Sequence, residues 1–102
     1  MTEAQLLARV TGLCEELGLL WHHCNDARRC TGPDGFPDLV IAGQRGVMFA
    51  ELKSASGETS AGQDLWLWTL DRAATGGHFG RGVFRPNLWD SGQIRRCLEA
   101  LR

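Results

Sequence analysis

Residues 36–53 read FPDLVIAGQRGVMFAELK, two apolar runs on either side of a short polar turn between glycines. Such a segment specifies a β-hairpin: a strand over 36–42, a turn over 43–46 and a strand over 47–53. Pro37 lies near the start of the first strand, where a missing N–H is tolerated. An isolated hairpin is barely stable in water. The rest of the chain must therefore supply more strands and the helices that cover them.

The flanking segments fit that requirement. Residues 3–17 place Leu6, Leu7, Val10, Leu13, Cys14 and Leu17 at helical spacing, with Thr2 as the N-cap and Gly18 as the stop. Residues 19–23 read as a short strand, and residues 24–36, rich in Asn, Asp, Gly and Pro, as a loop. After a polar loop over 54–60, residues 61–74 read as a helix capped by Ser60, with Gln63 completing a capping box. The segment TGGHFGRG at 75–82 reads as flexible; a last strand follows at 83–86 and a helix at 90–101, with Asp90 as its cap. With 102 residues there is room for one core, so residues 1–102 are expected to form a single domain.

Three charged residues interrupt the apolar hairpin. A turn of two residues or of four pairs the strands symmetrically about Gln44-Arg45, which sets Asp38 directly across from Glu51. Strand residues alternate faces, so Lys53 shares a face with Glu51. Two carboxylates opposed in this way repel and destabilise the sheet, more so when buried. A divalent cation offsets that repulsion. Mg²⁺ takes oxygen ligands, often one or two carboxylates with water and phosphate, and the Leu52 carbonyl is a further candidate oxygen. Lys53 would hold its ammonium near a phosphate. The set suits phosphodiester hydrolysis, where metal and ammonium stabilise charge gathering at phosphorus. The alternative is a plain Asp/Glu–Lys salt-bridge network on an exposed sheet face. Lys53 is the only Lys among 11 basic residues, so an ammonium is kept at one place where Arg serves elsewhere.

Pro37-Asp38 followed by Glu51-Leu52-Lys53 resembles the signature of the restriction-endonuclease-like nucleases. Trp21-His22-His23, Arg28-Arg29, Gly32, the run from Gly35 to Val40, Ser54, Gly57, Ser60, Gln63, Trp66, Leu70, Arg85-Pro86 and Trp89-Asp90 are similar to the small VRR-NUC branch of that superfamily. The resemblance implies an α/β fold, a restriction-endonuclease-like central mixed β-sheet flanked by helices in the order α-β-β-β-α-β-α. It implies a Mg²⁺-dependent DNA endonuclease, with Mn²⁺ as substitute, acting on branched or duplex DNA in the manner of Holliday-junction resolvases and leaving 5′-phosphate and 3′-hydroxyl ends. Asp38 and Glu51 would be metal ligands with the Leu52 carbonyl, Lys53 the catalytic lysine, Gln63 an accessory residue, and Glu3 the acidic residue of the first helix. Arg28, Arg29, Ser54 and Ser60 would contact DNA. Stand-alone members work as dimers, so a homodimer is expected. The longer TGGHFGRG connection, and Ala27 and Cys30 in place of the more usual serines, depart from the family pattern.

The remaining residues carry weaker signals. The net charge of −1 gives no whole-molecule basicity, so a nucleic acid would have to meet a local patch. No apolar run is long enough to cross a bilayer, and the N-terminus lacks the pattern of a signal peptide. The expected location is the cytoplasm, as a prokaryotic or phage-encoded protein. The four cysteines then read as free thiols. His22, His23, Cys24 and Cys30 are zinc-type ligands at an unusual spacing, which keeps a small zinc-binding regulatory protein as a rival. A second rival is a DNA-binding module of the same fold without catalysis. Trp66 is expected in the core and Trp68 toward a partner subunit, while His78 and Arg81 are candidates for a mobile DNA-contacting element.

Overall fold

The computed structural model describes residues 1–24, 30–74 and 79–102. Helix α1 (Glu3–Leu17) opens with a full capping box, the Gln5 N–H donating to Thr2 Oγ1 at 3.1 Å and the Thr2 N–H to Gln5 Oε1 at 2.8 Å. It stops at Gly18, whose φ of 71° is the left-handed region glycine favours. Four strands follow: β1 (Leu20–His23), β2 (Leu39–Gly43), β3 (Gly46–Leu52) and, after helix α2 (Ala61–Ala73), β4 (Phe79–Phe84). They form one sheet in the order β1-β2-β3-β4, antiparallel except for the parallel pair β3–β4. Helices α3 (Pro86–Asp90) and α4 (Gln93–Glu99) end the chain. The expected mixed sheet flanked by helices is present.

The hairpin register is the one the turn dictates: Leu39 pairs with Ala50 and Gly43 with Gly46. Alternation then divides the sheet. Leu39, Ile41, Met48, Ala50 and Leu52 are buried together with Leu6, Val10, Leu13 and Cys14 of α1 and Ile94 and Leu98 of α4. The opposite face carries Val40, Phe49 and Glu51 on the side covered by α2.

Three boundaries differ from the sequence expectation. Strand β2 starts at Leu39 rather than at residue 36, because Pro37 has no N–H and the Leu52 N–H bonds instead to Asp38 Oδ2 at 2.9 Å. Strand β4 starts at Phe79, inside the segment expected to be flexible, because β3 offers it a parallel ladder; residues 75–78 lie outside the described part. Gly80 lies close against Met48: a Cβ there would stand 2.8 Å from Met48 Sδ. The expected helix over 90–101 is two helices. Pro86 starts α3, and Gly92, at φ 80°, separates it from α4, so Asp90 closes α3 instead of capping a helix.

Candidate active site

Glu51 is the one buried charged residue among those described, 1% exposed on a central strand. Its partners come from three elements. Ser60 caps α2 by accepting from the Gln63 N–H at 3.2 Å, while Gln63 Oε1 accepts from the Ser60 N–H at 2.8 Å. That second bond fixes which end of the amide faces the sheet. Gln63 Nε2 therefore points at the strand and donates to Glu51 Oε1 at 2.7 Å. Lys53 Nζ stands 3.9 Å from the same oxygen, its side chain 14% exposed. The other oxygen, Glu51 Oε2, is buried and has no hydrogen-bond partner.

Asp38 closes the cluster. It precedes β2, half-buried, and its carboxylate holds the Leu52 amide. Burial first, and then the adjoining Asp38 carboxyl, push the Glu51 carboxyl up to about 8; Lys53 acts against them. The acidic pair and the lysine expected from the hairpin arithmetic thus converge, with Gln63 added from the covering helix. Glu3 stands in the first turn of α1 and lines a cavity of about 190 Å³ together with His23, Asp38 and Leu52. Asp38 also lines a larger cavity of about 570 Å³, with Gln63, Trp66, Phe36, the joined Cys24 and Cys30, and residues 31–35.

Other expectations are placed differently. The Ser54 hydroxyl accepts from the Gly57 N–H at 3.0 Å and the Ser60 hydroxyl caps α2, so both are engaged within the chain. Arg28, Arg29 and His78 lie outside the described residues. Arg81 forms an ion pair with Asp71 on α2 and is not held free for a ligand. Trp66 is half-buried on the α2 side, away from the main core. Its Nε1 donates to the Pro33 carbonyl at 3.3 Å, and its ring meets Phe36 edge to face at 5.0 Å. Trp68 is exposed, with the Arg72 guanidinium 4.9 Å from its ring centre. Cys24 and Cys30 are joined in a disulfide, which corrects the reading of four free thiols; Cys14 and Cys97 remain free. The bond also removes the thiolates on which the zinc reading depended. Among the described residues no group of three or more His, Cys, Asp or Glu side chains is placed to hold a metal.

Sequence reasoning missed two features. Arg85 Nη1 donates to the carbonyls of Ser54 and Gly57 at 2.8 and 2.7 Å, fastening the loop that follows Lys53. The aromatic cavity was also missed; its only trace in the sequence was Phe36, an aromatic residue at a loop end, and Trp66 on α2.

Comparison with known proteins agrees with the architecture. No protein-family model matches the sequence, and no curated protein matches it. A solved structure described as "VRR_NUC domain protein" superposes with a TM-score of 0.64 over 100% of this chain and 97% of its own, at 18% sequence identity. At that identity the likeness is one of fold. No helix among the described residues is long and apolar enough to cross a membrane.

Proposed function

We propose that this chain, which has the fold of a VRR_NUC domain protein, is a metal-dependent DNA endonuclease that hydrolyses phosphodiester bonds. One observation carries the reading: a buried carboxylate oxygen, Glu51 Oε2, without a partner, beside a second carboxylate. Stability alone does not favour burying two adjoining carboxyls: burial and Asp38 push the Glu51 carboxyl up to about 8, and a cation between them would let both ionise. The residues fit a divalent cation. Glu51 Oε2 and Asp38 supply carboxylate oxygens, the Leu52 peptide is held beside them, and the donor set is all oxygen, as Mg²⁺ or Mn²⁺ prefers.

When bound, such an ion supplies Lewis acidity, activating water and neutralising charge on phosphate. The chain's own residues have distinct tasks. Gln63 occupies Glu51 Oε1 and so leaves Oε2 as the ligand oxygen. Lys53 brings an ammonium to the site, where it would pair with a phosphate oxygen as charge develops in the transition state. Glu3, which lines the smaller cavity with Asp38, would add a further carboxylate. Branched DNA, cut by two sites of a homodimer in the manner of a Holliday-junction resolvase, is the substrate class that accompanies this reading; the exposed Leu65 and Trp68 of α2 are the surface proposed to pair two copies.

The test is cleavage of linear, nicked, flapped and four-way-junction DNAs with Mg²⁺ or Mn²⁺. Asp38→Ala and Glu51→Ala are expected to lower the rate at least about a thousandfold, consistent with the loss of transition-state electrostatics, while keeping the circular-dichroism spectrum of the wild type. Wild-type rates in either variant would sink the assignment. Binding of DNA with no metal-dependent turnover on any substrate would favour the non-catalytic module.

A further inference from the structure

We infer that the larger cavity beside Asp38 receives an unpaired base of the DNA strand, so that the protein prefers DNA with an unpaired nucleotide next to the bond it cuts. The inference rests on the nuclease reading for its substrate and on different residues for its argument. The cavity, about 570 Å³, adjoins the candidate site: Asp38 lines it, and so does Gln63, which donates to Glu51. Its size lies in the range of small-molecule pockets, roughly 300–1,000 Å³. Its lining combines the aromatic rings of Phe36 and Trp66 with prolines, glycines and the Cys24–Cys30 disulfide. Phe36 meets Phe49 and Trp66 edge to face, at 6.0 and 5.0 Å between ring centres, and is still 45% exposed. A large apolar ring left open at the edge of a polar site is a platform on which a base can stack, whatever its identity.

Charge decides which part of a nucleotide enters. Among the described lining residues the charged side chains are Asp34 and Asp38, with no Lys or Arg. Carboxylates disfavour a phosphate beside them, so the uncharged base is the part that lies against Phe36 and Trp66. A base stacked within a duplex cannot reach such a cavity without leaving the helix, and extrusion is least costly where it is already unpaired. One wall of the pocket is tightly packed. The turn at Gly35, φ +88°, lies directly on the backbone of Gly62 and Gln63 at the start of α2, and a Cβ on Gly62 would stand 2.9 Å from Asp34 Oδ2. The wall of the cavity and the residue that orients Glu51 are therefore one packed unit.

The experiment compares a duplex carrying one unpaired nucleotide with the same duplex fully paired, in Ca²⁺, by fluorescence anisotropy. The unpaired base is also replaced by 5-iodouracil for photocrosslinking. The bulged DNA is expected to bind about tenfold tighter, the ratio to fall about fivefold or more in Phe36→Leu, the scale of one lost stacking contact, and the crosslink to map to Phe36 or Trp66. Equal affinities, a ratio unmoved in a folded Phe36→Leu, or a crosslink elsewhere would overturn the inference. If Phe36→Leu does not fold, the position of the crosslink decides. Failure of Mg²⁺ or Mn²⁺ to support cleavage of either DNA would overturn the nuclease reading, and the binding ratio and crosslink would still judge the pocket.

Discussion

Glu51 shows how much one side chain on a central strand can carry. Its carboxyl has an ordinary value of 4.5 and is raised to about 8, by burial first and Asp38 second. The folded state thus keeps a proton that the unfolded chain has already released between these values. Stability therefore declines as pH rises from about 4.5 to about 8 and levels off above that. Glu51→Gln cannot ionise and escapes the decline. In chelator, its melting temperature is expected to match the wild type near pH 4 and to exceed it by on the order of 5–10 °C at pH 8; a constant difference across that range would contradict the linkage. The same substitution should abolish cleavage, a trade of stability for function. Cys14 is a simpler case. Burial, with Glu15 as a smaller influence, pushes its thiol up to about 11. A thiol reagent at pH 8 is expected to leave Cys14 unmodified until denaturant is added, as read by mass spectrometry, because the thiolate is the reactive form.

At the scale of elements, the site depends on how α2 is seated. None of its residues is fully buried, so its position is held by points of contact. The capping box fixes Gln63, and the Gly35 turn packs on Gly62 and Gln63 with no space for a side chain. Gly35→Ala introduces both a steric clash with backbone and a positive φ on an L residue. It is expected to cost about 2 kcal/mol of stability, measured by urea unfolding; an unchanged midpoint would show that the loop yields freely. A similar contact fastens the C-terminus. The Arg45 N–H donates to the Leu101 carbonyl at 3.0 Å, and a Cβ on Gly43 would stand 2.8 Å from the Leu101 carbonyl carbon. The hairpin turn is thus closed over by the end of the chain.

For the whole molecule, the exposed apolar groups lie outside the main core. Leu65 and Trp68 on α2 are 62% and 58% exposed, and Leu20 on the edge strand β1 is 77% exposed. A closed two-fold dimer through α2 would bury Leu65 and Trp68 and give two strands two equivalent sites. Light scattering is expected to return twice the mass of 11.2 kDa, with Trp68→Glu shifting the protein to monomer. A wild-type monomer that remains active would remove the dimer from the proposal.

What the sequence determined by itself was local. The turn residues set the hairpin register, and that register brings Asp38 and Lys53, each one residue beyond the paired strands, to Glu51, because pairing is a property of neighbouring strands. Thr2, Gly18 and Ser60 marked helix ends because capping is a contact over three or four residues. Only the tertiary structure decided the rest. The parallel pairing of β4 turned a glycine-rich segment into a strand, since hydrogen bonds from β3 outweigh glycine's weak propensity. The seating of α2 aimed Gln63 at Glu51 and left Oε2 without a partner. The packing of Phe36 and Trp66 shaped a cavity from residues thirty positions apart. These are long-range contacts, and no rule of spacing along a chain contains them.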